Sequence, residues 1–166
     1  MTERFEHQKA ELLREADKLH QRLELSKTVR PDWYEPGQME HLDQSDGIWD
    51  EAAGRLLLRF ESRGTRYDGR TELIERVRVG DPITLRRDPA NPYNSNNFIL
   101  LTAQGYDVGN MPAELCNAIA PLYDAGNLTF ERAAVSYVEP ISKRSRYARQ
   151  GVLFVELLCR ISGESR

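Results

Sequence analysis

The sequence predicts a mainly β fold with helical additions, an α+β chain organised around a small closed or partly closed β-barrel. Three observations predict it. Between Arg55 and Ile161 the chain falls into short apolar or alternating runs, each bounded by Gly, Pro, Asn or Asp, the pattern of strands separated by turns. Within that span one segment, Ala113 to Tyr123, has the apolar spacing of an inserted helix. Ahead of it all, residues 2 to 27 hold no Pro or Gly and are dense in Glu, Lys, Arg, Gln, Leu and Ala.

That leading run is read as an amphipathic helix with Thr2 at its N-cap. Phe5, Leu12 and Leu19 recur every seven residues, with Lys9, Ala16 and Leu23 on the adjoining line. Two uses fit such a stripe: packing on the helix's own domain, or a protein partner or homodimer contact through Phe5, Leu12, Leu19 and Leu23. Residues 28 to 53 follow as an acidic linker carrying Pro31, Pro36 and Gly37, in which Trp33 and Trp49 are expected to close the open end of the barrel; the alternative is an acidic strap that lies over the basic face and competes with a polyanion for it. The barrel domain is placed at residues 54 to 162.

Within it, strands are expected at Arg55 to Glu61, Leu73 to Val79, Pro82 to Arg87 and Phe98 to Ala103. Gln104 and Gly105 form a hairpin turn into a strand at Tyr106 to Gly109. Pro112 occupies the first turn of the inserted helix, whose residues Leu115, Ile119 and Leu122 share a face and which Gly126 ends. Strands at Leu128 to Val138 and Gly151 to Ile161 complete the set.

Charge is unevenly divided. Residues 1 to 53 hold 7 Lys/Arg against 13 Asp/Glu, net −6, and residues 54 to 166 hold 16 against 13, net +3. A weakly basic domain can contact phosphates without the field of a dedicated duplex binder. The chemistry of catalysis is sparse. His7 and His20 lie in the leading helix and His41 in the linker, there is no nucleophile elbow, and neither Walker nor dinucleotide glycine motif occurs. Cys116 and Cys159 stand alone beside apolar residues and are expected to be buried free thiols. No enzyme activity, metal or cofactor is therefore expected. No apolar run approaches the ~18 residues that cross a bilayer, and the first residues lack a signal-peptide core, so a cytoplasmic location is expected.

One stretch carries a binding chemistry. Arg87-Asp88-Pro89-Ala90-Asn91-Pro92-Tyr93-Asn94-Ser95-Asn96 joins two strands as a rigid turn in which two prolines fix φ and short polar side chains close local bonds. It offers the ring of Tyr93 to solvent with amides on either side. A basic loop, Lys143 to Arg149, places Tyr147 between Arg146 and Arg149, a mix that suits a nucleic-acid strand.

The arginine-aspartate-proline followed by Asn91-Pro92-Tyr93 resembles the signature of the HIRAN domain family. Gly64-Thr65-Arg66-Tyr67 is similar to that family's entry segment, Tyr106 to Pro112 to its step into a helix, and Leu122 to Gly126 to the helix end. The resemblance covers roughly residues 55 to 160. It implies an OB-like or SH3-like barrel and a non-enzymatic module that binds single-stranded DNA or DNA 3′ ends, working in DNA repair, at replication forks or in defence, as an accessory to an ATP-dependent translocase or nuclease; the alternative is a protein-interaction adaptor that keeps the barrel, binds DNA more weakly and oligomerises through the N-terminal helix. In the DNA-binding reading Tyr67 and Tyr93 would stack on the last bases and Arg66 would meet phosphate, with Asn91, Asn94, Asn110, Arg146 and Tyr147 completing the surface. The departures are specific. Asn94 stands where the family has a short acid for the terminal hydroxyl, Asn110 where it often has His, Pro112-Ala113 where it has a phosphate-binding Lys, and Asp68 at an often aromatic position. A neutral amide accepts a hydrogen bond less strongly than a carboxylate, and a missing Lys removes one charge contact.

Overall fold

A computed structural model describes residues 2–26 and 49–163, with side chains from residue 3 to 19 and from 49 onward. The linker from 28 to 48, with Trp33 and His41, and the side chains of His20 and Leu23 lie outside the described residues. The fold is α+β: mostly antiparallel sheets with a few helices.

The first helix, α1 (Thr2–Ser26), is spent on its own domain. Phe5, Leu12, Ala16 and Leu19 are buried in the common core, where α1 lies against a later helix and the second strand. This corrects the expectation of a homodimer or partner contact through Phe5, Leu12 and Leu19: the stripe faces inward, because the sheet leaves one side that a helix must cover. Lys9, inside the stripe, reaches its edge. Its ammonium sits 5.3 Å from the Trp49 ring centroid and 3.5 Å from Glu51 Oε2, while Trp49 Nε1 donates to Glu51 Oε1 at 2.8 Å. The Trp49 bond first, and the Lys9 charge second, hold the Glu51 carboxyl below its usual range.

Strand β1 (Trp49–Asp50) turns tightly into β2 (Arg55–Glu61), which pairs along its length with the last strand, β7 (Val152–Ile161). β7 also pairs with β6 (Leu128–Glu139), giving a four-stranded sheet in the order β1-β2-β7-β6. Twelve residues of β6 face ten of β7, and two bulges, between Phe130 and Arg132 and between Val135 and Tyr137, absorb the difference. Such bulges bend a strand and raise its twist, which helps this sheet to wrap. β3 (Thr84–Arg87), β4 (Phe98–Leu101) and β5 (Asp107–Asn110) form a second, three-stranded sheet.

The expected barrel takes the form of two sheets pinned at both edges rather than one continuous ladder. Arg63 and Asn110 exchange backbone bonds of 2.8 and 3.0 Å, joining the end of β2 to β5. Pro82 faces Ala134 across an isolated bridge flanked by Ile83 N to Ala133 O at 3.0 Å and Val135 N to Asp81 O at 2.9 Å, joining the start of β3 to β6. The first pin requires glycine at 109. Its φ is 130°, and a Cβ there would stand 1.8 Å from Ser62 Oγ and 2.9 Å from the Arg63 carbonyl oxygen.

One predicted strand is wrong. Leu73 to Val79 is not extended; α2 (Arg70–Ile74) occupies its start, and tight turns carry the chain on to Gly80. Alternation was the misleading signal, since Ile74 and Val77 are buried and Leu73 packs on the core at helix-like rather than two-residue spacing. The inserted helix, α3 (Ala113–Asp124), is found as expected, with Pro112 at its N-cap. It buries Leu115, Ile119 and Leu122, and it also buries Ala118, Ala120 and Cys116, whose thiol donates to the Met111 carbonyl at 3.3 Å, while α1 packs along it. Phe98, Tyr123 and Phe130 close the core around it, with ring centroids 5.1 to 5.5 Å apart. Both cysteines are buried and free; burial pushes the Cys116 thiol up to about 11 and raises that of Cys159 as well.

Candidate nucleic-acid interface

The loop between β3 and β4 is held in shape by its own side chains. Asp88 N donates to the Asn97 carbonyl at 2.9 Å, closing the base of the loop, and Asn97 N donates to the Asn94 carbonyl at 3.1 Å. Asn91 Oδ1 accepts from the backbone N–H groups of Tyr93 and Asn94 at 2.9 and 3.0 Å. Asn91 Nδ2 and Asn97 Nδ2 both donate to Asp88 Oδ2. Asn94 Oδ1 accepts from Asn96 N at 3.0 Å. These are Asx-type closures, the local bonds that short polar side chains make in place of ladder bonds. Two expected ligand contacts are thereby altered: the side-chain oxygen of Asn91 is committed to two backbone donors, and that of Asn94 has one such donor already.

What the loop leaves outside is the ring of Tyr93, 95% exposed, while the chain beneath it is pinned at its own N–H and at that of Asn94. An aromatic ring held clear of the protein by a rigid backbone loses little entropy when a flat partner stacks on it. Two residues that sequence reading passed over do much of the holding. Arg87, at the end of β3, donates to the carbonyls of Ser95 and Asn97 at 2.9 and 3.2 Å and meets Asp124, at the end of α3, through two bonds of 3.0 and 2.9 Å. The Asp124 bond raises the Arg87 pKa, and the same bond holds the Asp124 carboxyl below its usual value. Asn97 is buried and also donates to Asn110 Oδ1 at 2.9 Å, tying the loop to β5. A buried Asn opening an apolar strand was the available sign, since such an amide must find partners.

Asn110 is also where a second segment arrives. Through Arg63 its backbone is joined to the turn that carries Arg66 and Tyr67. Arg70 fixes that turn, donating to the Gly64 carbonyl at 3.1 Å and to both Asp107 oxygens at 3.0 Å. Asp68 and Gly69 have φ of 58° and 75° between a Tyr67 carbonyl and an Arg70 N–H 3.1 Å apart, the geometry of a type I′ turn. Asp68 is there for the bend. Tyr67 is left 57% exposed, with the Arg66 guanidinium 5.3 Å from its ring centroid. Asn91, Tyr93, Asn94, Asn110, Arg66 and Tyr67 thus belong to two turns hung on one β5 residue.

Arg146 and Tyr147 come from a third segment. The Arg146 guanidinium lies 4.9 Å from the Tyr147 centroid and donates to its hydroxyl at 2.8 Å; that ring is 76% exposed. Arg144 shapes this loop by pairing with Glu139 at 2.9 Å and donating to the Gln150 carbonyl at 2.8 Å. Its far end returns beside the Tyr67 turn, where Thr65 Oγ1 donates to the Gly151 carbonyl at 2.9 Å. Among the described residues, no three His, Cys, Asp or Glu side chains gather as a metal would need.

A HIRAN domain family model matches residues 56–150 of the chain. Similar solved structures include the HIRAN domain of human HLTF, at 23% identity over 64% of this chain and 81% of that one, TM-score 0.45. A protein from Lactobacillus plantarum matches at 20% identity over 63% of this chain and 98% of that one, TM-score 0.46. The HLTF HIRAN domain in its DNA-bound conformation matches at 22% identity over 63% and 75%, TM-score 0.42. No curated protein matches the chain significantly.

Proposed function

The chain belongs to the HIRAN domain family, and on that premise we propose that it is a non-catalytic nucleic-acid-binding module that takes single-stranded DNA or a DNA 3′ end. The observation that carries the proposal is the ring of Tyr93, almost wholly exposed on a loop whose backbone is locked by Asn91. A stacked base in a duplex has no free face, so a protruding ring selects unpaired or terminal bases. Each such stacking contact contributes about 1–3 kcal/mol. Tyr67 supplies a second ring with its own guanidinium, and the exposed Arg63 and Arg66 meet phosphate.

Support for DNA as the polyanion comes from the family and from one relative, HLTF, whose HIRAN domain has a DNA-bound structure. Demand for a free 3′ hydroxyl is weakened here, because the Asn94 oxygen is neutral and already accepts the Asn96 N–H. Titration of labelled oligonucleotides with free and phosphate-blocked 3′ ends tests the reading. Single-strand binding that falls at least tenfold in Tyr93→Ala, with at most a few-fold preference for the free end, is expected. Equal affinity for a covalently closed duplex without ends and for single strand, or an unaffected Tyr93→Ala variant, would refute it.

A further inference from the structure

We propose that a second surface, formed by the turn after α2 and the loop before β7, carries the phosphate backbone of the same strand away from the stacking rings. The inference rests on the nucleic-acid reading above and extends it from Arg146 and Tyr147 to Arg76, Arg78 and Arg149, which that reading does not use. Its basis is a contrast among the arginines. Arg55, Arg87, Arg132 and Arg160 each stand in an ion pair with a carboxylate. Arg76, Arg78, Arg146 and Arg149 are exposed, and none has a carboxylate partner among the described residues. Unpaired guanidiniums are also the ones available to release counterions from a polyanion.

These four come from two segments that the fold binds together at both ends. Ser142 donates its hydroxyl to Glu75 Oε1 at 2.7 Å and its N–H to Glu75 Oε2 at 3.3 Å, fixing the start of the loop to the end of α2. At the other end Gly151 N donates to Thr71 Oγ1 and Gly151 O accepts from Thr65 Oγ1, fixing the loop to the start of α2. The loop therefore runs antiparallel to α2, from the Arg76 end to the Tyr67 turn. The acids beside it are occupied: Glu75 by Ser142, Asp81 Oδ2 by the Arg78 N–H at 2.9 Å, and Glu139 by Arg144. Glu72 on α2 and Asp68 in the Tyr67 turn are further exposed acids on the neighbouring segments. Residues 141 to 151 themselves hold four basic residues and no acid. Tyr147, 76% exposed, lies within the run and gives a passing base a face to stack on.

The prediction is a length dependence that the stacking rings alone would not produce. With the full chain, affinities are measured for oligothymidylates of about 4 and about 16 nucleotides, the span of site sizes on OB-type faces, at several salt concentrations. The double variant Arg76→Gln/Arg78→Gln is compared with Arg14→Gln, a charge control on α1. The wild type is expected to bind the longer strand at least tenfold more tightly. In the double variant the longer strand loses most of that advantage, and the slope of log affinity against log salt falls by about 1.4, at ~0.7 for each of two phosphate contacts on a single strand. The short strand and the control variant stay within twofold of the wild type. Equal losses on both lengths, or no loss on either, would overturn the second surface while leaving the Tyr93 site standing. Failure of the wild type to bind either length would overturn both.

Discussion

Replacing Arg87 with Met tests whether the binding loop is held from outside itself. The guanidinium makes two bonds to Asp124, two to the carbonyls of Ser95 and Asn97, and lies 5.4 Å from the Phe98 centroid. The Asp124 side chain is half exposed, so the ion pair contributes about 0.5–1 kcal/mol. The two carbonyl bonds come from a charged donor on a side chain only one-fifth exposed, at about 1.5 kcal/mol each. With a small ring contribution the variant loses about 4 kcal/mol, and at ~2–4 °C per kcal/mol for a chain of this size its Tm drops by roughly 8–16 °C. Arg87→Lys keeps the charge but not the planar fork, and loses about half as much. Calorimetry gives the melting temperatures, and hydrogen exchange at the Tyr93 and Asn94 amides reports the loop. A Tm within ~2 °C of wild type for Arg87→Met, or unchanged amide exchange, would show that the loop's own Asx bonds suffice.

The same pair sets a pH response. The Asp124 carboxyl is lowered in the folded state by its Arg87 bond, so its stabilisation is fully present above the ordinary carboxyl value of 3.8 and is lost as pH falls through the lower folded value. Asp124→Asn should flatten that part of an acid denaturation curve, and an unchanged curve would count against the pairing. Gly109→Ala should cost roughly 2–4 kcal/mol in denaturant titration, since the new Cβ meets the Arg63 carbonyl and φ is 130°. Leu12→Ala, at a fully buried position of α1, should cost about 2–5 kcal/mol with no dependence on protein concentration. Cys116, its thiol pushed up to about 11, should react with a disulfide reagent at neutral pH only at the rate of opening, accelerating in denaturant.

The strands of this protein are legible because their sequences alternate or run apolar between turn residues, and β2, β4, β6 and β7 begin within a residue of where that pattern starts. The inserted helix is equally plain, from Pro112 to Gly126. Leu73 to Val79 was misread because a five-residue helix followed by turns exposes too little of a 3.6 period to outweigh local alternation. At the site, Tyr93 and its Pro- and Asn-rich loop announce themselves, since the residues that shape a turn are local in sequence.

The sequence by itself determined most of the segments that are strands, that the chain has a polar turn presenting a ring, and that its second part is basic. Tertiary structure decided which side of α1 meets the domain, that Arg87 reaches from β3 to Asp124, and that Asn97 and Arg63 meet at Asn110. It also decided which arginines are neutralised and which are left for a polyanion. The division follows from the range of the forces: backbone preference and periodicity act over a few residues, whereas the contacts of Arg87, Asn97 and Arg63 join residues separated by 13 to 47 positions and exist only once the two sheets have closed.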